Sequence, residues 1–380
     1  RGFDMFWIVG GEEIIHALYK AWPNSFLHIL DEQLNHQAWA GVRFYDLIFP
    51  LFVFIVGASS VFSLTRLIEK EGKAKALKRI FFRSLILYCF GLLAYGGISK
   101  GFDEVRWLGV LQRIALCYFF TGLVFCTFRL RGMIVVCSAL LLGYWGLTSL
   151  VPIRNFNLEK QHLEALGLQP NSAETRAAFL ATTNRVTGKY DDGLNLPQHI
   201  DYQYLPGFKW DGAYDPEGLL STLPAIATCL LGVFAGLLLR SGSVPDQKKV
   251  IYLLAAGAMT VVLGFLWGLQ FPAIKKIWSS SFVLVASGYA CLLLGAFHQI
   301  IEIWQWRRWC TPFLWIGMNA ITIYMAFHLL KFTEFAELVV GGPVKQALGR
   351  AGELAVALVV VALILALVRF LYQRKIFLRL

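Results

Sequence analysis

The sequence predicts an all-α fold, a polytopic bundle of about ten transmembrane helices with one large extracytoplasmic loop. Three observations carry that prediction. Of 380 residues, 57% are hydrophobic and only 16% charged, and the mean hydropathy of +0.59 is far above that of a soluble domain of this length. Apolar runs long enough to cross a hydrocarbon core of roughly 30 Å recur along the whole chain. Backbone in lipid must pair within its own segment or in a closed barrel, and the runs lack the ten-residue alternation of barrel strands, so each predicts a helix.

The runs fall near 3–20, 44–65, 80–96, 107–128, 133–153, 217–240, 250–269, 279–304, 311–331 and 352–373. Between them, basic residues gather on alternate links: Arg66, Lys70, Lys73, Lys75, Lys78 and Arg79 in "RLIEKEGKAKALKR", then Arg129/Arg131, Arg240/Lys248/Lys249, Arg307/Arg308 and the tail Arg374, Lys375, Arg379. The positive-inside rule makes these the cytoplasmic links. The links at 21–42, 97–106, 154–213, 270–278 and 332–350 are then expected outside. The net charge of +11 is therefore a topology signal and points to no nucleic acid partner. The 66–79 run suits anionic lipid, or, as the sharper alternative, an anionic cytosolic cofactor.

All seven cysteines lie within or at the ends of apolar runs, as small core residues rather than a disulfide framework or metal site. The chain opens at Arg1 without a methionine or a signal-peptide pattern, so the natural amino terminus is expected upstream. Residues 1–380 form a single transmembrane domain on this view. The 154–213 stretch is expected to be a loop with one short helix near 172–182, its aromatic "YQYLPGFKW" packing as a cap over the outer mouth. "PNSFLHILDEQLN" spaces Phe26, Leu27, Leu30 and Leu34 as a short amphipathic helix on the outer surface.

Ionisable residues in or beside spans are costly, and they crowd at one level here. Glu12 and Glu13 lie four and three residues before His16; Arg43 and Asp46 open the second span; Arg113 lies inside the fourth; Asp215 and Glu217 lead into the sixth. A self-neutralising interfacial network explains any one pair about as well as function does. For the whole set, with His36 and Trp39 in the preceding loop, a polar pocket is the better account. His28, His162 and His199 are expected to be solvated. No His/Cys/Asp spacing resembles a zinc or iron site, so no metal is expected, and there is no GxSxG, Walker or dinucleotide motif.

Several blocks together resemble one family: "RGFDMFWIVGGEE" (1–13), H-x-x-W-x-G-x-x-x-x-D-L-x-F-P-x-F-x-F-x-x-G from His36 to Gly57, "GVLQR" (109–113), "YDPEG" with "LLSTLPAI" (214–226), "KKIWSSSFV" (275–283), "GMNAITIY" (317–324) and "RKIF" (374–377). In this order they are similar to the heparan-α-glucosaminide N-acetyltransferase family, the lysosomal transmembrane acetyltransferase and its bacterial relatives. The resemblance implies transfer of acetyl from cytosolic acetyl-CoA to the amine of a glucosamine-type sugar across the membrane. It further implies a homodimer and, for a bacterial relative, the inner (cytoplasmic) membrane. His36 stands at the position of the family's catalytic histidine. The eukaryotic member has an asparagine on the first span where this chain carries Glu12, which leaves Glu12 and Glu13 both open as the histidine's neighbour.

Acyl transfer to an amine needs a route for the amine's proton and a donor for the developing oxyanion. Histidine suits the first task because its ordinary pKa lies near operating pH. His36 is then a general base, or takes the acetyl group itself and passes it on. Glu12 or Asp46 would fix its tautomer and hold the sugar's ammonium. Asn319, Arg113 or a backbone amide would face the oxyanion. Glu13, Trp39, Arg43, Asp215 and Glu217 complete the expected acceptor site. Arg83, Lys78 and Arg79 are the expected contacts of the nucleotide phosphates, and the small residues Gly57, Ala58, Ser59 and Ser60 of a passage for the acyl arm. A sugar or amino-sugar transporter is the alternative; it would need neither acetyl-CoA nor His36. A non-catalytic membrane scaffold ranks last.

Overall fold

A computed structural model describes residues 1–99 and 101–378, so Arg379 of the basic tail lies outside the described residues. Helices dominate. Two short antiparallel pairs, Ile153–Arg154 with Arg185–Val186 and Tyr190–Asp191 with Leu194–Asn195, are the named strands among the described residues. Among the described residues, seven helices are long and apolar enough to cross a membrane: Phe44–Glu71, Val110–Thr127, Leu130–Leu150, Thr222–Arg240, Asp246–Gly268, Ser280–Ile303 and Gly349–Gln373. A bent pair, Arg308–Met318 and Ala320–Leu329, turned by 67° at a break at Asn319, is apolar enough to form an eighth span or a re-entrant loop.

The two remaining runs are helical but irregular in instructive ways. Helix Lys73–Ala94 starts a full two turns before its apolar stretch, because Lys73, Lys75, Lys78 and Arg79 are good helix formers even where they cannot enter lipid. The first run is interrupted: Gly2–Phe6 and Glu12–Ala21 flank a wound segment, Trp7–Gly11. Gly10 there has φ +129°, a conformation that a side chain would strain.

The chain divides into two compact units. The first comprises residues 1–37, 43–52 and those from 297 onward. Its interrupted first helix packs on Arg308–Met318, with Gly2 so close that a Cβ would lie 1.7 Å from the Phe313 carbonyl oxygen. Phe3 and Phe6 bring their rings to 5.9 and 5.7 Å from that of Phe313. The expected amphipathic helix is present at Ser25–Leu34, started by Asn24, whose side chain accepts the Leu27 N–H at 2.9 Å. It buries Leu34 and exposes Phe26 and Ile29.

The second unit comprises residues 38–42 and 53–296. Helices Ile48–Glu71 and Thr222–Arg240 meet backbone to backbone in it: a Cβ on Gly57 would come to 1.9 Å from the Cys229 oxygen, and one on Gly232 to 1.9 Å from the Phe54 oxygen. The small residues expected to line a passage thus include Gly57 and Ala58 at a close helix contact.

The 154–213 segment is more ordered than its sequence promises. Helices Lys160–Ala165, Ala173–Ala181 and Leu196–Tyr204 join the two strand pairs. Its apolar residues are scattered singly, so no run announces them, yet Leu158, Phe179, Tyr202, Ala213 and Tyr214 converge on one core. Each large side chain buried there contributes about 1.5–3 kcal/mol. His199, expected to be solvated, is instead 1% exposed. Its Nε2 lies 3.1 Å from the Phe156 carbonyl and its ring 5.3 Å from that of Phe179.

Candidate functional site

In the first unit the turn Phe44–Leu47 presents Asp46 to the loop before it. Asp46 is fully buried. Its Oδ2 accepts the N–H groups of Gln37 and Arg43, each at 3.1 Å, and its Oδ1 lies 2.9 Å from His36 Nδ1. Two backbone donors fix the carboxylate, and the carboxylate fixes the imidazole. With Nδ1–H donating to Asp46, the basic lone pair of His36 is at Nε2. The His36 ring lies 4.8 Å from that of Tyr45, and the Tyr45 phenol hydrogen-bonds Glu12. Glu13 is exposed. His16 turns to Asp31, 2.7 Å away, and not to either glutamate.

Arg43 was expected near Asp46, but only its backbone touches that carboxylate. Its guanidinium pairs with Glu32 at 2.8 Å and reaches the His36 carbonyl at 3.4 Å. Asn319, also in this unit, is 2% exposed at the break in the bent pair.

In the second unit Trp39 donates from Nε1 to the Tyr190 carbonyl at 2.7 Å. Gly41 N–H bonds the Ala273 carbonyl at 2.9 Å, which ties this short loop to the 270–278 link. Asp215 and Glu217 meet a residue that the sequence did not single out. Arg106 is 4% exposed and holds Asp215 through Nε and Nη2, at 2.9 and 2.8 Å, and Glu217 through Nη2 at 2.6 Å. Tyr95 and Trp210 cover its guanidinium at 4.6 and 5.0 Å. The available signal was its position: a basic residue in a link expected outside runs against the charge bias and calls for a fixed partner.

Arg113 is buried nearby in the chain's order but bonds differently. Its Nη2 donates to the Ser221 hydroxyl and to the Gly218 carbonyl, and its guanidinium sits over the Trp278 ring at 4.9 Å. Asp201 accepts the Leu219 N–H at 2.8 Å, and burial pushes its carboxyl up to about 7. Burial likewise pulls the His199 imidazole down to about 4.

Of the expected phosphate contacts, Lys78 and Arg79 are exposed on helix Lys73–Ala94. Arg83 lies 4.9 Å over the Tyr118 ring, and its buried Nε meets no acceptor among the described residues. A donor-rich cationic set of this kind fits phosphate oxygens. The Ser59 hydroxyl turns back on the Val56 carbonyl at 3.1 Å.

Fold and geometry define an integral membrane protein of polytopic helical architecture, with a histidine gripped by a buried aspartate at the start of a span. Residues 3–179 match the family model described as heparan-alpha-glucosaminide N-acetyltransferase, catalytic. The human heparan-alpha-glucosaminide N-acetyltransferase is 29% identical over 340 residues, covering 78% of this chain and 49% of that protein. The mouse enzyme is 30% identical over 336 residues with the same shares. Over these residues the chain is similar to the heparan-α-glucosaminide N-acetyltransferase family, and it spans about half the length of the curated relatives it matches.

Proposed function

We propose that this chain is a transmembrane N-acetyltransferase that moves acetyl from cytosolic acetyl-CoA to the amine of a glucosamine-type sugar on the far side of the membrane. The observation that carries the proposal is the 2.9 Å contact between His36 Nδ1 and Asp46 Oδ1, in a chain similar to this family and at a histidine whose side chain is 55% exposed. Acetyl-CoA, when bound, supplies an acyl group activated by its thioester. Asp46 holds the tautomer that leaves His36 Nε2 basic. His36 takes one proton from the acceptor amine as the nitrogen–carbon bond forms, and returns it to the sulfur as the carbon–sulfur bond breaks. The same Nε2 would attack first in a route through acetyl-histidine.

The remaining assignments belong to the same proposal. Lys78, Arg79 and Arg83 hold the nucleotide phosphates, and Glu12 and Arg43, in the same unit as His36, shape the acceptor side. The whole chain works as one domain, as a homodimer in a bacterial inner membrane. Charge bias along the links and the family likeness support this arrangement.

The test is purified protein with labelled acetyl-CoA and a panel of amino sugars. Label appearing in the sugar is the expected result. Sugar uptake by proteoliposomes with no label transferred would replace the acetyltransferase by a transporter.

A further inference from the structure

A break in a span leaves the first N–H groups of the new helix without intrahelical partners. In the bent pair, the first backbone bond into Ala320–Leu329 runs from Ile323 N–H to the Asn319 carbonyl. The N–H groups of Ala320, Ile321 and Thr322 thus have no backbone acceptor among the described residues.

Asparagine is a residue that ordinarily satisfies such donors with its own side chain. Asn24 and Asn195 do so: both are extended, at φ −148°, ψ 165° and φ −152°, ψ 161°, and each side-chain oxygen accepts an N–H three residues on. Asn319 stands at the same position of its helix with φ −121° and ψ 25°, and its side chain makes no cap. The amide is 2% exposed. Its Oδ1 and Nδ2, and the Oγ1 of Thr322 less than one turn on, meet no partner among the described residues. Each buried polar group left so costs about 1–3 kcal/mol. Two of the three, the Asn319 Nδ2 and the Thr322 hydroxyl, can donate, and they lie at the positive end of a helix of 10 residues.

The charge of the segment narrows what that is. From Trp309 to Leu330 there is no Lys, Arg, Asp or Glu. The segment contributes dipoles and no charge of its own, which suits a neutral carbonyl that gains negative charge on reacting; the nearest carboxylate of the helix packed on it is the buried Asp4 of Gly2–Phe6.

We propose that the break at Asn319 receives the thioester carbonyl oxygen of the acyl donor, with the Asn319 amide as principal hydrogen-bond donor and the Thr322 hydroxyl as the second. The inference rests on the acetyltransferase reading and adds a residue role to it. As the amine attacks, the carbonyl π pair moves onto this oxygen, and it returns to the carbon when the carbon–sulfur bond breaks.

Two unreactive donor mimics test the assignment: acetonyl-CoA, a ketone that keeps a carbonyl, and propyl-CoA, its thioether counterpart without one. Wild-type protein should bind acetonyl-CoA up to about tenfold more tightly, the scale of one hydrogen bond. In Asn319→Leu that preference should fall towards one with propyl-CoA affinity unchanged, and turnover should drop about 10²-fold. Thr322→Val, nearly isosteric, should reduce the preference in part and carries the same test if Asn319→Leu does not fold. A preference that survives in the variant, or equal loss of affinity for both mimics, overturns the assignment while leaving the acetyltransferase reading in place. Wild-type protein that binds neither mimic and acetylates nothing overturns both.

Discussion

Asp46 is fully buried while His36, 2.9 Å from it, keeps about half of its side chain exposed. A carboxylate sunk beneath an accessible imidazole orients the ring without blocking it. His36→Ala should therefore lower turnover by about 10²- to 10⁴-fold, the range for a lost general acid or base. Acetyl-CoA affinity should remain. His28→Ala, at an exposed position on the amphipathic helix, should leave turnover unchanged. Near wild-type acetylation by folded His36→Ala protein would remove the histidine from the chemistry.

Asp46→Asn tests the same pair from below. The carboxylate accepts from two backbone N–H groups and faces the imidazole, and an amide cannot accept at both of its terminal atoms. One buried donor is left unsatisfied, a loss of about 1–3 kcal/mol. Turnover and melting temperature should fall together. Arg43 is not stranded by the change, because its guanidinium belongs to Glu32.

The buried Arg106 pair predicts a stability effect. Arg106→Ala strands Asp215 and Glu217 and should cost about 3–5 kcal/mol, seen as lost yield or a sharply lower melting temperature in detergent. Arg106→Lys should rescue little, since an ammonium cannot reproduce the forked contact to Asp215 or lie flat against Tyr95 and Trp210. Full stability of Arg106→Lys would show that charge alone matters there.

Two buried groups in the 154–213 segment give opposite pH dependences. Asp201, raised to about 7 by burial, binds more proton folded than unfolded, so its contribution is lost as pH rises from about 4 to 7. His199, lowered to about 4 by burial, binds less proton folded, so its contribution is lost as pH falls from 6.5 to about 4. In the wild type the two offset. Melting temperature of Asp201→Asn should rise with pH across this window, and that of His199→Gln should fall. Parallel profiles for the two variants would contradict the burial of one of them.

Sidedness is open to direct labelling. Lys75 and Lys189 are both exposed, and a cysteine at 75 should react only from the cytoplasm, one at 189 only from outside. Cys89 is exposed and is best replaced by serine in the background. Reversed labelling would invert the proposed placement of the site.

The sequence made the helices legible because hydropathy over twenty residues is a local property, and it made His36 and Asp46 legible because they precede a span within one motif. Arg106 stayed hidden because its partners lie 109 and 111 residues away, and nothing local distinguishes a paired arginine from a solvated one. His199 failed for the same reason: its burial depends on Phe156 and Phe179, neither on its own helix. The breaks at Gly10 and Asn319 escaped because hydropathy is blind to backbone direction. At Asn319 the clue was an amide in an apolar run, and it yielded a candidate role without the geometry that gives the role meaning.

The seam between helices Ile48–Glu71 and Thr222–Arg240 carries a mechanical consequence. Gly57 faces the Cys229 carbonyl and Gly232 the Phe54 carbonyl, each with room for a hydrogen and nothing larger. Interlocked main chains cannot slide lengthwise past one another without a carbonyl riding over a Cα. These two helices therefore travel as a single strut, and any rearrangement that exposes one surface and then the other to an arriving molecule has to flex elsewhere. Even a methyl at position 57 or 232 would act as a wedge driven into that strut.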